Sequence, residues 1–213
     1  MPVVGRGWHS RRMGTAAVGD YWNHNTAYHP WVVGIAAQKR GDVLDVGCGD
    51  GLLAQRLARV SRSVTGIEPD PAAADRAQRR VTDDDRVGIS RTFFEQFDPG
   101  TRRFDLVTFV ASLHHMDLRS SLARARDFLA PSGEIAVVGL SANKSASDWV
   151  WSAFCVPAVA VGDRIHRGTS DIGVAIADPR ESLHEIRCTA AEVLPGAVIR
   201  RKLYYRYLLR WSS

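Results

Sequence analysis

The sequence predicts an α/β fold in which a mostly parallel sheet carries helices on both faces. Three observations support this prediction. Short apolar runs alternate with segments of helical spacing between residues 42 and 140. Glycines or acids follow the first two apolar runs, at the strand ends where open α/β sheets bind ligands. Two adjacent strand-like runs, 197–203 and 205–211, end the chain.

Composition limits the function classes. The 213 residues are enough for a single core, and a hydrophobic content of 45% is ordinary for a soluble protein. The net charge is +5, but 25 of the 28 basic residues are arginines scattered along the chain, so no DNA partner is expected. The longest apolar run, 149–161, is too short to span a membrane and contains Pro157.

The cysteines and the first residues bear on location and domain limits. Cys48, Cys155 and Cys188 fit neither a disulfide framework nor a metal site, so we expect a cytoplasmic protein without a bound metal. Residues 1–19 lack the apolar core of a secretory signal and are expected to form a flexible leader. Residues 20–213 are then one domain.

Residues 20–40 open that domain with clustered polar and aromatic side chains and continue as a helix. Pro30 suits its first turn. Two interpretations remain open: the aromatic residues cover an edge of the sheet, or the segment closes over a ligand as a lid. The candidate ligand contacts are Tyr21, Trp22, His24, Tyr28 and His29.

The stretch Val43–Gly51 carries the strongest functional signal. Val43, Leu44 and Val46 form a buried strand, and Gly47, Gly49 and Gly51 follow at alternate positions, with Cys48 inside the turn. Asp45 stands at the strand end, where a carboxylate would repel a pyrophosphate but suit a cationic ligand. Leu52 occupies the third glycine position of the dinucleotide motif, which disfavours an NAD-dependent oxidoreductase.

This stretch, VLDVGCGDG, resembles the first motif of class I S-adenosylmethionine-dependent methyltransferases, and the resemblance continues to residue 140. It implies a Rossmann-like sheet of seven strands, of which only the last, 205–211, is antiparallel. It also implies S-adenosylmethionine as the cofactor and S-adenosylhomocysteine as the product. The cofactor is then expected to contact Asp45 and the loop residues Gly47, Cys48, Gly49 and Gly51.

Acidic residues follow the second strand, 63–67. Glu68, next to Pro69, can accept both ribose hydroxyls of a nucleoside. Asp70 instead caps a predicted helix, 71–80.

The third strand, 87–91, departs from the family pattern, because Thr92 stands where the resemblance implies an adenine-binding acid. We expect adenine to be held by the Thr92 hydroxyl, by the Phe93 backbone N–H and by stacking on an aromatic ring, or Glu95 to reach back to it. The candidate adenine contacts are Thr92, Phe93 and Phe94.

The fourth strand, 104–110, leads into Ala111 and the pair His114–His115. FDLVxxxxxLHHM resembles the fourth motif of small-molecule methyltransferases, which implies that the Ala111 backbone faces the amino group of the cofactor. Each histidine has a structural and a catalytic interpretation. We take the pair as the candidate catalytic residues.

The second half of the chain predicts a helix over 120–129, a turn at 131–133, a strand over 134–140 and a helix that begins at Asp178-Pro179. An insertion, 141–177, lies between the strand over 134–140 and the helix that follows it. It is either a peripheral helix or a substrate cap with an aromatic wall of Trp149, Trp151 and Phe154.

We therefore expect methyl transfer to a small, aromatic or apolar metabolite at an oxygen, nitrogen or carbon atom. A base is needed only if the acceptor must lose a proton, and the candidates are His114, His115, His24 and His29. The alternatives are an RNA or protein methyltransferase, or a non-catalytic module that binds the cofactor or its product.

Overall fold

A computed structural model describes residues 23–144, 179–202 and 206–213. These residues contain a seven-stranded sheet in the order β3-β2-β1-β4-β5-β7-β6. Strands β1 to β5 pair in parallel, and β7 is antiparallel to both β5 and β6. The predicted fold class is thereby confirmed. The strands are β1 Asp42–Val46, β2 Ser63–Ile67, β3 Val87–Ser90, β4 Phe104–Val110, β5 Leu129–Leu140, β6 Val198–Arg201 and β7 Arg206–Ser212.

Helices cover both faces of this sheet. One apolar cluster joins α1 and α2 to β1, β2 and β4, and a second joins α4 and α5 to β1, β4, β5 and β7. Alternate residues of the central strands enter opposite clusters, as the two-residue period of a strand requires. The helices are α1 His29–Lys39, α2 Leu52–Ala58, α3 Pro71–Arg80, α4 Leu118–Asp127 and α5 Leu183–Val193.

Helix α5 starts later than predicted. Its N-cap is Ser182, whose hydroxyl accepts the Glu185 N–H, while the Glu185 carboxylate accepts the Ser182 N–H at 2.7 Å. This reciprocal capping box satisfies two backbone groups at once, so the prediction of a start at Asp178-Pro179 was wrong. Helix α4 likewise begins two residues before the predicted Ser120, because Asp117 caps it.

Strand β5 is longer than predicted, since it begins at Leu129 and not at Glu134. The expected turn at 131–133 lies inside the strand, where Ser132 has φ +62° and the register with β4 shifts. An irregularity of this kind lets one strand bend without ending.

An ionic cluster ties β7 and α1 to the buried Glu134 of β5. Arg210 Nε lies 2.6 Å and Lys39 Nζ 2.9 Å from the Glu134 carboxylate. Burial alone would raise the pKa of Glu134, but the bonds from Arg210 and Lys39 lower it overall. The cluster thus fixes the antiparallel strand against the parallel part of the sheet.

The order of the strands locates the site. The strand order reverses between β1 and β4, and ligands of open α/β sheets bind beside such a reversal, at the carboxyl ends of the strands.

None of the helices in the described ranges has the length and apolar character needed to cross a bilayer.

Candidate active site

The loop between β1 and α2 is a tight turn built on three glycines with positive φ. Gly47, Gly49 and Gly51 have φ of +72°, +58° and +81°, a region that side chains with a Cβ adopt only at a cost. The N–H groups of Gly47 and Cys48 both donate to the Ile67 carbonyl, at 2.8 and 3.0 Å. The sequence therefore holds the loop against the end of β2.

Space gives a second reason for two of these glycines. A Cβ on Gly47 would lie 2.4 Å from the Ser112 Cβ, and one on Gly51 would lie 3.0 Å from Ala77. Ser112 is itself fixed, because its hydroxyl donates to the Val46 carbonyl at 2.5 Å. The loop is thus packed between the end of β4 and helix α3.

Asp45 is a buried carboxylate at the end of β1. It is 1% exposed, and its Oδ2 has no hydrogen-bond partner among the residues that the structure describes. Burial, together with the nearby charge of Glu68, raises the pKa of Asp45 to about 7. An orphaned acceptor of this kind indicates a ligand that brings a donor, and a cation would favour the charged form.

Glu68 joins the glycine loop to the end of β2. Its Oε2 accepts the Gly49 N–H and its Oε1 accepts the Asp70 N–H, both at 2.9 Å. Each carboxylate oxygen can accept a further bond. Glu68 therefore stands oriented for the two hydroxyls of a ribose, next to Pro69, and Asp70 caps α3 as expected.

A buried ion pair that the sequence did not predict joins the glycine loop to helix α3. Arg80 of α3 is buried, and its Nη2 donates to Asp50 Oδ2 at 2.7 Å while its Nε donates to the Asp50 carbonyl at 3.0 Å. A signal was present, since Arg80 follows Ala73 and Ala77 on the buried face of α3. Only the fold shows that its partner lies thirty residues earlier, in the glycine loop.

The residues expected to hold adenine divide between surface and core. Phe93 is 57% exposed, whereas Phe94 is 1% exposed and packs edge-on against Phe109. The Phe94 side chain thus belongs to the core, which leaves the Phe93 ring for stacking. The Thr92 hydroxyl donates to the Phe93 carbonyl at 3.3 Å, and Glu95 is exposed.

The end of β4 holds a strained residue followed by the histidine pair. Ala111 has φ +55° and is held by its N–H bond to the Val138 carbonyl at 2.8 Å. Such strain in a residue with a Cβ is typical of ligand sites. A short turn, Leu113–His115, then places the two imidazole rings 4.2 Å apart, with His115 exposed and His114 partly buried.

The described part of the segment before α1 is a turn capped by its own side chains. The Asn23 carboxamide accepts the N–H groups of Asn25 and Thr26 at 3.0 and 2.9 Å. Tyr28 is partly buried against the α1 cluster. His29 is buried, and its Nδ1 lies 3.2 Å from Arg56 Nη1 of α2, a contact that supports a packing role.

Several expected ligand contacts cannot be placed in this site. Tyr21 and Trp22 lie outside the described residues, as do Trp149, Trp151 and Phe154 of the predicted cap. His24, by contrast, lies in the described turn and is partly buried. The lid and the cap therefore remain predictions.

Comparison with known proteins agrees with this geometry. A family model described as a methyltransferase domain matches residues 43–133. Over 194 residues the chain is 35% identical to an uncharacterized methyltransferase of Mycobacterium tuberculosis, covering 90% of this chain and 97% of that one. It is also 30% identical to the ubiquinone biosynthesis O-methyltransferase of Proteus mirabilis, over 61% of this chain and 52% of that protein.

Solved structures share the fold at lower identity. The N-methyltransferase NodS of Bradyrhizobium japonicum, in complex with S-adenosylhomocysteine, has a TM-score of 0.60 and 20% identity, covering 88% of this chain and 86% of that one. The DhpI–S-adenosylhomocysteine complex has a TM-score of 0.61 and 17% identity, covering 88% and 83%.

The residues present fit S-adenosylmethionine. The orphaned Asp45 carboxylate suits its ammonium group, and Glu68 suits its ribose hydroxyls. The chain therefore belongs to the class I S-adenosylmethionine-dependent methyltransferases, and S-adenosylmethionine is its cofactor.

Proposed function

We propose that this methyltransferase acts on a small, aromatic or apolar metabolite that lies at the carboxyl end of β4. The observation that carries the proposal is the histidine pair, which stands one strand away from Asp45 in the sheet order. Bound S-adenosylmethionine supplies an electrophilic methyl group. The protein's part is to orient donor and acceptor and to keep water out.

The residues divide this work. Asp45 accepts the ammonium of the cofactor, Glu68 accepts the ribose hydroxyls, and Phe93 offers a ring to the adenine. The strained Ala111 backbone faces the same ammonium group. Each assignment rests on a polar group or ring already held at the carboxyl edge of the sheet.

His115 is the better candidate for a general base. It is exposed just after the end of β4, where a hydroxyl of the acceptor can reach it, whereas His114 is partly buried. The similarity to an O-methyltransferase of ubiquinone biosynthesis also favours a hydroxyl acceptor. Removal of its proton makes the oxygen a stronger nucleophile.

RNA or protein as the acceptor is the second candidate, since one surface of the sheet edge is basic. A groove of about 710 Å³ runs along β6 and β7, and its described lining contains three cationic side chains, one of them the Arg210 that pairs with Glu134, beside two tryptophans. A basic groove with aromatic rings suits single-stranded nucleic acid. These residues are Arg200, Lys202, Arg210, Trp31 and Trp211.

Release of S-adenosylhomocysteine, measured against a panel of phenols, quinones, carboxylates and bulk RNA, tests the proposal. We expect turnover on one of the small molecules and none on RNA. The Asp45→Asn variant should lose this turnover, which controls for uncatalysed release. Turnover on RNA alone would contradict the proposal and favour the second candidate.

A further inference from the structure

Thr108 of β4 lies beside Asp45 inside the sheet. The two residues are paired in the register of the parallel strands β1 and β4. Val43 and Leu106, two residues earlier, are paired in the same way, and both belong to the apolar cluster of α1 and α2. Because side chains alternate between the faces of a strand, Asp45 and Thr108 share that face, roughly 5 Å apart across the strands.

Each of these two side chains has a polar atom without a partner. Thr108 is 0% exposed, and neither its Oγ1 nor the Asp45 Oδ2 makes a hydrogen bond with the residues that the structure describes. Buried polar atoms are usually paired, because an unpaired one loses its hydration without compensation. Two such atoms at adjacent positions satisfy each other once rotation about a Cα–Cβ bond brings the hydroxyl to the carboxylate.

The titratable neighbours of Asp45 among the described residues disfavour its ionised form. They are Glu68, at the end of β2, and Cys48, in the glycine loop, and both are acids. Helices α1 and α2 cover this face with apolar side chains, and the titratable His29 of α1 and Arg56 of α2 contact each other. A hydroxyl can favour the ionised form, since it carries a hydrogen-bond donor.

We propose that Thr108 is a positioning residue, whose hydroxyl donates a hydrogen bond to the ionised Asp45 carboxylate and holds it for the ammonium group of the cofactor. The same hydroxyl can accept a bond from the neutral carboxyl, but its bond to the charged form is the stronger one. Thr108 therefore shifts Asp45 towards the form that binds a cation. This inference rests on the role of Asp45 in the proposed function.

A packing role is the competing explanation, in which Thr108 only fills space between β4 and the helices. Thr108→Val separates the two explanations, since valine keeps the shape of threonine and replaces the hydroxyl with a methyl group. Under a packing role, the variant binds the cofactor with the pH dependence of the wild type. Under the proposed role, loss of the donor raises the pKa of Asp45, because the hydrogen bond favoured its charged form.

Calorimetry of S-adenosylhomocysteine binding to the full-length protein, at pH 6 and pH 8.5, measures this difference. We expect Thr108→Val to bind about tenfold more weakly than the wild type at pH 6, or about 1.4 kcal/mol. At pH 8.5 the loss should be less than about twofold, because Asp45 is then mostly ionised in both proteins. Thr108→Ser retains the hydroxyl and should keep the wild-type affinity at both pH values.

Thr65→Val is the matched control. Thr65 of β2 is buried and pairs with Leu44, which belongs to the apolar cluster on the other face of the sheet. This variant loses a strand hydroxyl away from Asp45 and should bind as the wild type does. In the Asp45→Asn background, Thr108→Val should change affinity by less than about twofold, since the charge that the hydroxyl holds is absent.

Equal affinities of folded Thr108→Val and the wild type at pH 6 would overturn the assignment of Thr108. A loss of the same size at both pH values, or in the Asp45→Asn background, would overturn it too. Thermal unfolding identifies the folded variants, and Thr108→Ala, which also lacks the hydroxyl, takes the place of a Thr108→Val variant that does not fold. If Asp45→Asn itself binds like the wild type at pH 8.5, the role of Asp45 in the proposed function fails, and the inference with it.

Discussion

Asp45 shows how burial makes a carboxylate sensitive to its ligand. Its pKa lies near 7 because the side chain is buried and Glu68 is close. In the proposed site, the ammonium of the cofactor binds the ionised form. Below pH 7 the affinity for S-adenosylhomocysteine should therefore fall, by up to about tenfold per pH unit. Calorimetry between pH 5.5 and 8 measures this slope.

Asp45→Asn provides the control, since its affinity for S-adenosylhomocysteine should be weaker at pH 8 and should hardly change with pH.

The Asp45→Asn substitution should also stabilise the ligand-free protein at pH 8. The folded pKa of Asp45 is above the unfolded value of 3.8, so the folded state binds the extra proton between about pH 4 and 7 and loses stability as the pH rises. The gain on replacement should be about 1–4 kcal/mol, smaller at pH 5. A variant less stable than the wild type at pH 8 would contradict this account.

Glu68 is expected to matter for affinity in a different way. Glu68→Gln keeps the shape of the side chain but removes the charge that two hydroxyls and two N–H groups share. Hydrogen bonds to a charged group contribute about 1.5–3 kcal/mol, so affinity for S-adenosylhomocysteine should fall roughly ten- to a hundredfold. Calorimetry measures the change, with Glu192→Gln on the exposed face of α5 as the matched control. Unchanged affinity in a folded Glu68→Gln variant would remove Glu68 from the ribose site.

Helix α3 carries the ion pair that fixes the glycine loop. Arg80→Met leaves the Asp50 carboxylate buried without this partner, and breaking a buried pair in this way costs about 3–5 kcal/mol. Urea unfolding should show this loss, and calorimetry a weaker cofactor affinity, because the loop loses its support. Asp50→Asn in the same background should restore part of the stability.

Arg79→Met on the same helix is the control for that prediction. Arg79 is exposed, so its replacement should change stability by less than about 0.5 kcal/mol. Equal effects of the two substitutions would show that helix propensity, and not the ion pair, determines the result.

The elements that the sequence predicted well are those whose ends carry local signals. Helix α3 runs over 71–80 as expected, because Asp70 caps it and Pro71 starts it. The predicted start of helix α5 was wrong because the sequence contains two capping signals. The helix begins at the capping box formed by Ser182 and Glu185, and not at Asp178-Pro179. The strain at Ala111 and the Asp50–Arg80 pair depend on contacts between distant segments. No local pattern predicts such contacts.

The fold as a whole could be predicted because the βα alternation and the glycine motif agree. The place proposed for the acceptor, at the end of β4, depends in addition on the strand order. In that order β2 and β3 extend from β1 on one side, while β5, β7 and β6 extend from β4 on the other. Asp45, Glu68 and the glycine loop belong to the first half, and the histidine pair belongs to the second.

This division predicts that substitutions in the second half affect the acceptor and leave the cofactor bound. His115→Ala should lower turnover of a hydroxyl acceptor, because it removes the proposed general base. Trp151→Ala, in the segment that follows β5, should weaken acceptor binding at every pH, because an aromatic wall carries no titratable group. Both variants should bind S-adenosylhomocysteine as the wild type does. His114→Ala separates the two histidines, since loss of a structural ring affects unfolding more than turnover. If folded His115→Ala and Trp151→Ala variants keep full activity on the acceptor found by the panel, the acceptor pocket lies elsewhere and the histidine pair is structural.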